Sequence, residues 1–305
     1  MIINRNHWQI SMRYISIIRK RDGYIIAIVI MFCIIISVSI VTVTTSVHTS
    51  LISVKQTTDI IRARELAKSG MELIIGKIKN DNKKLINGND FFMIGSDEVY
   101  ITYRDESARI DINASPPELI SGLFMKLGAN EKSALGDANR IVDWRNAVSD
   151  QRSQEAKNEA YREKGLPLPR NGPFSSTLEL FYVLDIPPEL LRKSIPWLTT
   201  ENGKDEINIM IADTIVLMAI PNLSDGTIRE ITDARKIKSN SIDNIIKSLG
   251  KSGSFLTKDK GRGLKIDINV KINKSIIKTY EAIVVINYDN EKQKNIYYIV
   301  TWYEK

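Results

Sequence analysis

Apolar and polar positions change rhythm along this chain, and each change marks an element. Residues 24–43 carry no charge and hold eight isoleucines, four valines and Phe32. At ~1.5 Å of rise per residue such a helix reaches about 30 Å, the thickness of a bilayer's hydrocarbon core. Counting only Ile, Val and Phe at ~0.3–0.6 kcal/mol each, insertion is favoured by about 4–8 kcal/mol. So many β-branched residues make a poor helix in water, but in lipid the backbone must satisfy its own hydrogen bonds. The stretch is too long for the apolar part of a cleaved signal, and Thr42-Val43-Thr44-Thr45 offers no small-x-small site. A single membrane span is expected.

Beyond it, residues 51–80 place Ile60, Ala67, Met71, Ile74, Ile75 and Ile78 on one stripe at three- and four-residue spacing. No proline interrupts 24–80, so span and stripe form one long helix whose lower half packs on a sheet. Residues 80–97 read as loop. Residues 99–103 and 108–112 alternate as two strands, joined by a turn at Arg104-Asp105-Glu106-Ser107. After Pro116-Pro117 the period becomes helical: 118–127 and 131–145, broken at Gly128-Ala129-Asn130. A charged connection at 150–164, an irregular stretch at 165–173 and short helices at 177–184 and 188–193 follow.

Then comes a faint repeat. Ile207-Asn208-Ile209 echoes Ile110-Asp111-Ile112, and Ile231 to Arg235 echoes Ile141 to Arg145, with Pro221 to Asp225 as the second break. Two helical hairpins are inferred. Strand patterns return at 264–272, 276–286 and 295–303, with turns at Asn273-Lys274 and Tyr288-Asp289-Asn290. Strands, helices, then strands predict an α+β protein with a helical domain inserted into an antiparallel sheet.

Charge changes the picture little. The net charge is +7, but residues 1–23 hold +4 of it, which leaves an ordinary +3. A nucleic-acid binder of this size concentrates more positive charge on its body. Five basic residues precede the span, whereas Lys55 and Arg62 alone follow it closely, so the N-terminus is cytoplasmic and the body lies outside. Cys33 lies in the span, and the two histidines, His7 and His48, lie before it and at its edge. The body therefore has no histidine base and no thiol nucleophile. Gly250-Lys251-Ser252 is a chance fragment of a phosphate loop, because Ile245 stands where the first glycine belongs. The expectation is a non-enzyme.

These pieces together resemble the K-type minor pseudopilin of the type II secretion system, the general secretion pathway protein K family. The residues that carry the resemblance are Arg19-Lys20-Arg21-Asp22-Gly23 ahead of Tyr24, then Arg62 to Leu73, Asp105-Glu106, Ile110 to Asn113, Asp143-Trp144-Arg145, Asn171 to Phe174 and Ile207 to Ile209. It implies a prepilin leader at 1–23, a transmembrane and amphipathic pilin helix at 24–80, and β region at 81–113. The helical domain then spans 114–250, as two helix-hairpin-helix-like units, and closing strands span 251–305. A prepilin peptidase would cut after Gly23, leaving Tyr24 as an N-methylated terminus. Ile28 stands at the fifth mature position, where shaft pilins carry a glutamate, as suits a tip cap. The implied partners are I- and J-type pseudopilins, the peptidase and other pseudopilus and inner-membrane secretion components, in the export of folded proteins across the outer membrane.

Family members can also carry calcium in the helical domain. The carboxylates available here are Asp143, Asp150, Glu155 and Glu159, while Asn146, Val148 and Ser149 stand where more would be expected. Calcium wants six to eight oxygens, and solvated loop acids are the alternative reading. Two rival functions are tested by particular residues. A membrane-anchored helix-hairpin-helix DNA binder needs glycines in its turns, and Asn222 with Asp225 opposes it. A type IV pilus minor pilin shares the leader and long helix but not the inserted repeat.

Overall fold

A computed structural model describes residues 7–80, 87–147, 150–237, 241–272, 276–286 and 297–305. The expected turns at 273–274 and 288–290, together with Val148 and Ser149, lie outside those residues. The chain divides into two compact units, Met1–Arg62 and Ala63–Lys305.

Helix α1, His7–Asn80, is continuous, as the absence of proline from 24–80 allows. Within 24–43 its large side chains are exposed, apart from the partly exposed Ile28, and the helix is long and apolar enough to cross a membrane. Serine and threonine hydroxyls downstream, such as those of Thr42 and Thr49, donate back to the carbonyl four residues earlier, at 2.8 Å. That satisfies them without an outside partner.

In the second unit, Ala63, Ala67, Met71, Ile74, Ile75 and Ile78 of α1 are buried. Ile60, expected on the same stripe, remains 37% exposed. The stripe packs with one face of a five-stranded antiparallel sheet: β1 (Asn87–Ile94), β2 (Asp97–Asp105) and, after the helical insert, three closing strands. Gly70 lets helix and sheet approach, since a Cβ there would fall 2.8 Å from Ile101 Cδ1.

The insert, residues 106–262, begins with a 3₁₀ turn at Glu106–Ala108 and β3 (Ile110–Asp111). Helices α2 (Pro117–Lys126), α3 (Glu131–Arg145), α4 (Gln151–Glu163) and α5 (Pro188–Ser194) lead to β4 (Leu198–Thr199), which pairs in parallel with β3. The pattern then recurs. β5 (Ile207–Asn208) precedes α6 (Thr214–Met218), α7 (Asp225–Ile237) and α8 (Ser241–Ser248), and pairs in parallel with β6 (Leu256–Thr257). The sheet resumes with β7 (Gly263–Ile272), β8 (Ile276–Ile286) and β9 (Tyr297–Glu304), in the order β1-β2-β7-β8-β9. β7 alternates inward at Leu264, Ile266, Ile268, Val270 and Ile272.

Two expectations are corrected. Residues 80–97 contain a strand, β1, which alternates between exposed and half-buried positions at the sheet's edge, with Phe91 and Met93 on the exposed side. The expected hairpin of 99–103 with 108–112 does not form. Arg104 and Asp105 continue β2, which pairs instead with β1 and β7, while Ile110-Asp111 turns away to β4.

Candidate functional site

Three residues expected to act at the N-terminus lie on α1. Gly23 has open space around the position of a Cβ, Tyr24 is 69% exposed, and Ile28 is partly exposed.

The motif residues of the body, scattered over a hundred positions of sequence, come together in the insert. Asn113 brackets Phe174: its Oδ1 accepts from Phe174 N at 2.7 Å and its Nδ2 donates to Phe174 O at 3.0 Å. Phe174 stacks on Trp144 at 6.1 Å, and Tyr161 packs tilted against the same ring at 5.4 Å. Asn171, held at φ 52°, donates its N–H to Trp144 O at 3.1 Å. Arg145 next door donates to Ile112 O at 2.5 Å and Ser115 O at 3.0 Å, clamping the turn that follows β3. Burial lowers the Arg145 pKa, while the nearby Asp111 raises it.

The second helical unit repeats the clamp residue for residue, through a different pair of guanidinium nitrogens. Arg235 donates to Ile209 O at 2.5 Å and Ala212 O at 2.9 Å. Asp111 Oδ1 accepts from Asn113 N at 2.7 Å, and Asn208 Oδ1 from Met210 N at 2.9 Å. The interval that takes Ile110 to Ile207 also takes Pro117 to Thr214 and Gly122 to Ala219. Those last two meet in space: a Cβ on Gly122 would lie 1.9 Å from Ala219 O. Both hairpin turns use a left-handed residue, Gly128 at φ 106° and Asn222 at φ 59°. Asn222 therefore fills the glycine position by tolerating that conformation.

Where sheet and insert join, four carboxylates are buried: Asp105, Glu106, Asp111 and Glu201. Asp105 Oδ1 accepts from Ser107 N at 2.9 Å and Gly261 N at 2.8 Å. Asp111 Oδ2 accepts from Gly203 N at 2.6 Å, and Glu201 pairs with Arg262 at 2.6 Å. Burial pushes Asp105, Glu106 and Asp111 above the usual carboxylate range, against the pull of these N–H groups and, for Glu106, of Arg109. Gly263 leaves no room for a side chain, its Cβ position lying 2.7 Å from Glu201 Cβ. This seam holds both chain crossings in one geometry. Glu201, Asn202 and Arg262 were not foreseen; the one sequence signal was Gly261-Arg262-Gly263 just before a strand.

The four acids expected as calcium ligands do not converge. Asp150 caps α4, accepting from Ser153 N at 2.8 Å and Ser153 Oγ at 2.7 Å. Glu155 and Glu159 both take Arg162, at 2.6 and 3.2 Å. Asp143 offers its backbone carbonyl to Lys157 Nζ. Among the described residues no group of three or more His, Cys, Asp or Glu side chains is arranged to hold a metal ion. An open cleft of about 470 Å³ lies between β1–β2 and the second helical unit. Its charged lining is Arg104, Asp213 and Arg235, with Arg104 donating to Asp213 Oδ2 at 2.8 Å and to Ile211 O.

Residues 103–201 match the family described as type II secretion system (T2SS), protein K. The fold is similar to that of a chain in the crystal structure of the GspK-GspI-GspJ complex from the enterotoxigenic Escherichia coli type 2 secretion system. The TM-score is 0.58 at 15% identity, over 82% of this chain and 98% of that one. No curated protein matches the chain by sequence.

Proposed function

We propose that this chain, a member of the type II secretion system protein K family by its match over residues 103–201, is a minor pseudopilin at the tip of the pseudopilus. The observation that carries the reading is where that match falls. It covers the first helical unit and its seam with the sheet, where Asn113, Trp144, Arg145 and Phe174 interlock. The role is structural: buried polar groups such as Asp105, Asp111 and Asn208, with the half-buried Arg235, hold backbone, and no step of chemistry is assigned to them.

Residues 24–43 anchor the protein in the inner membrane, the N-terminus cytoplasmic and the body periplasmic, as the basic residues before the span favour. The similar chain's place in a GspK-GspI-GspJ complex supports I- and J-type partners. The exposed Gly23–Tyr24 bond suits cleavage by a prepilin peptidase and methylation of Tyr24. Ile28 offers no carboxylate to the N-terminal ammonium of a neighbour, and an unpartnered buried ammonium costs several kcal/mol, as suits a subunit without that neighbour.

Mass spectrometry of the protein from its own membrane tests the class. The expected species begins at Tyr24 and carries one methyl group; an intact leader would overturn the reading.

A further inference from the structure

Helix α4 crosses the first unit between the end of α3 and the segment leading to Phe174. From its middle Lys157 sends its ammonium inward, to Asp143 O at 2.5 Å and Asn171 Oδ1 at 2.9 Å. Both acceptors belong to stretches that must stay put for the Trp144–Phe174 stack to form. Asp143 adjoins Trp144, and Asn171 is tied to Trp144 O while holding a left-handed backbone. Such oxygen pairs, one carbonyl and one side-chain amide on separate segments, are the ligands with which a calcium ion cross-links a loop. Here they are filled by a charge that is covalently attached.

Of the four carboxylates, Asp150 is taken by its helix cap and Glu155 and Glu159 by Arg162, which leaves Asp143, whose charge acts on Lys157. The calcium allowed by the family resemblance therefore does not fit this arrangement. We propose that Lys157 is the resident cation of the first helical unit, that it ties α3 to the 165–174 segment, and that the unit's stability does not depend on a divalent metal. The ammonium supplies up to three directed donors and one charge, enough for two oxygens but not for the six or more that calcium gathers. It also needs no ion from the surroundings.

The test uses the full chain in detergent and reads stability alone, so its outcome is separate from the secretion assignment. Thermal midpoints are compared in calcium chloride, in EDTA and in neither. The wild type is expected to melt at the same temperature in all three. Lys157→Ala should lower the midpoint by about 3–6 °C and speed proteolysis within 165–173. A wild-type midpoint that falls with EDTA or rises with calcium overturns the proposal even if the variant fails to fold. So does a Lys157→Ala midpoint equal to the wild type's.

Discussion

In the first helical unit the turn after the short strand is built over a carboxylate, Asp111; in the second an amide, Asn208, takes the same place. Both side chains bond the backbone two residues on, and both are buried. Their outer atoms differ in sign. Asp111 Oδ2 accepts the N–H of Gly203, whereas Asn208 Nδ2 donates to the carbonyls of Lys258 and Asp259, at 3.2 and 2.9 Å. The covers differ too. Trp144 in the first unit is matched by Ala234 in the second, and only the first adds α4, Tyr161 and Phe174 to enclose its aromatic ring. What the units share is an arginine clamp on two carbonyls. The clamp fixes the backbone, and the cover over it is free to vary.

The largest test of that division removes the clamps. Arg145→Met leaves the carbonyls of Ile112 and Ser115 without donors and deprives buried Asp111 of a nearby cation, at an expected cost of about 3–5 kcal/mol. Arg235→Met loses the bonds to Ile209 and Ala212 but also relieves repulsion from Arg104, so about 2–3 kcal/mol is expected. Urea unfolding of the full chain in detergent measures both. Equal losses would show that the carboxylate beneath Arg145 adds nothing to the clamp.

A second test concerns the contact between the units. Gly122→Ala drives a methyl into the Ala219 carbonyl, a backbone atom that cannot step aside, and should cost about 3 kcal/mol. Gly136→Ala, on α3, meets only the end of Arg140 at 3.8 Å and should gain about 0.5–1 kcal/mol from helix propensity. If both substitutions behaved alike in the same unfolding assay, the close packing of α2 on the second unit would be refuted.

Much of this plan is readable in the residues. Three-residue spacing on α1 and strict alternation on β7 report burial on one face, and burial is what the sheet and helix actually share. Arg145 and Arg235 announced themselves through the repeated Asp-x-Arg, although the sequence did not say what they hold. What stayed hidden was pairing across long separations. Nothing local tells Ile110 to pair with Leu198, or Ile207 with Leu256. The seam residue Glu201 is likewise defined only by Arg262, far along the chain. Edge strand β1 is hidden in the sequence because Asn87 to Asp90 read as a turn and Phe91 to Ile94 run apolar without polar alternation, although its burial alternates. The acids after Asp143 looked alike in sequence and differ in space, because Ser153 and Arg162 sit one helical turn or two away.

A more modest loss discriminates best between the units. Asp111→Asn gives the first unit the second's side chain while Gly203 still offers an N–H, so an acceptor facing that N–H is lost or must flip. The cost is about 1–2 kcal/mol. Its pH dependence follows from the direction of the Asp111 shift. Burial raises its pKa first, with Glu201 adding to the rise and Gly203, Asn113 and Arg262 opposing it. A carboxyl whose pKa is higher folded than unfolded contributes stability that is full below the unfolded value of 3.8 and is lost as pH climbs through the folded value. Asparagine has no such titration, and the buried acids that do not interact with Asp111 are present in both proteins and cancel in the difference. The wild type's advantage over Asp111→Asn should therefore be greatest in acid and shrink from about pH 4 upward. Unfolding free energies of the two proteins across that range give the answer. An advantage that grows with pH would mean that Asp111 is held as an anion by Arg145 and Arg262, and that the first unit rests on an ion pair where the second rests on neutral hydrogen bonds.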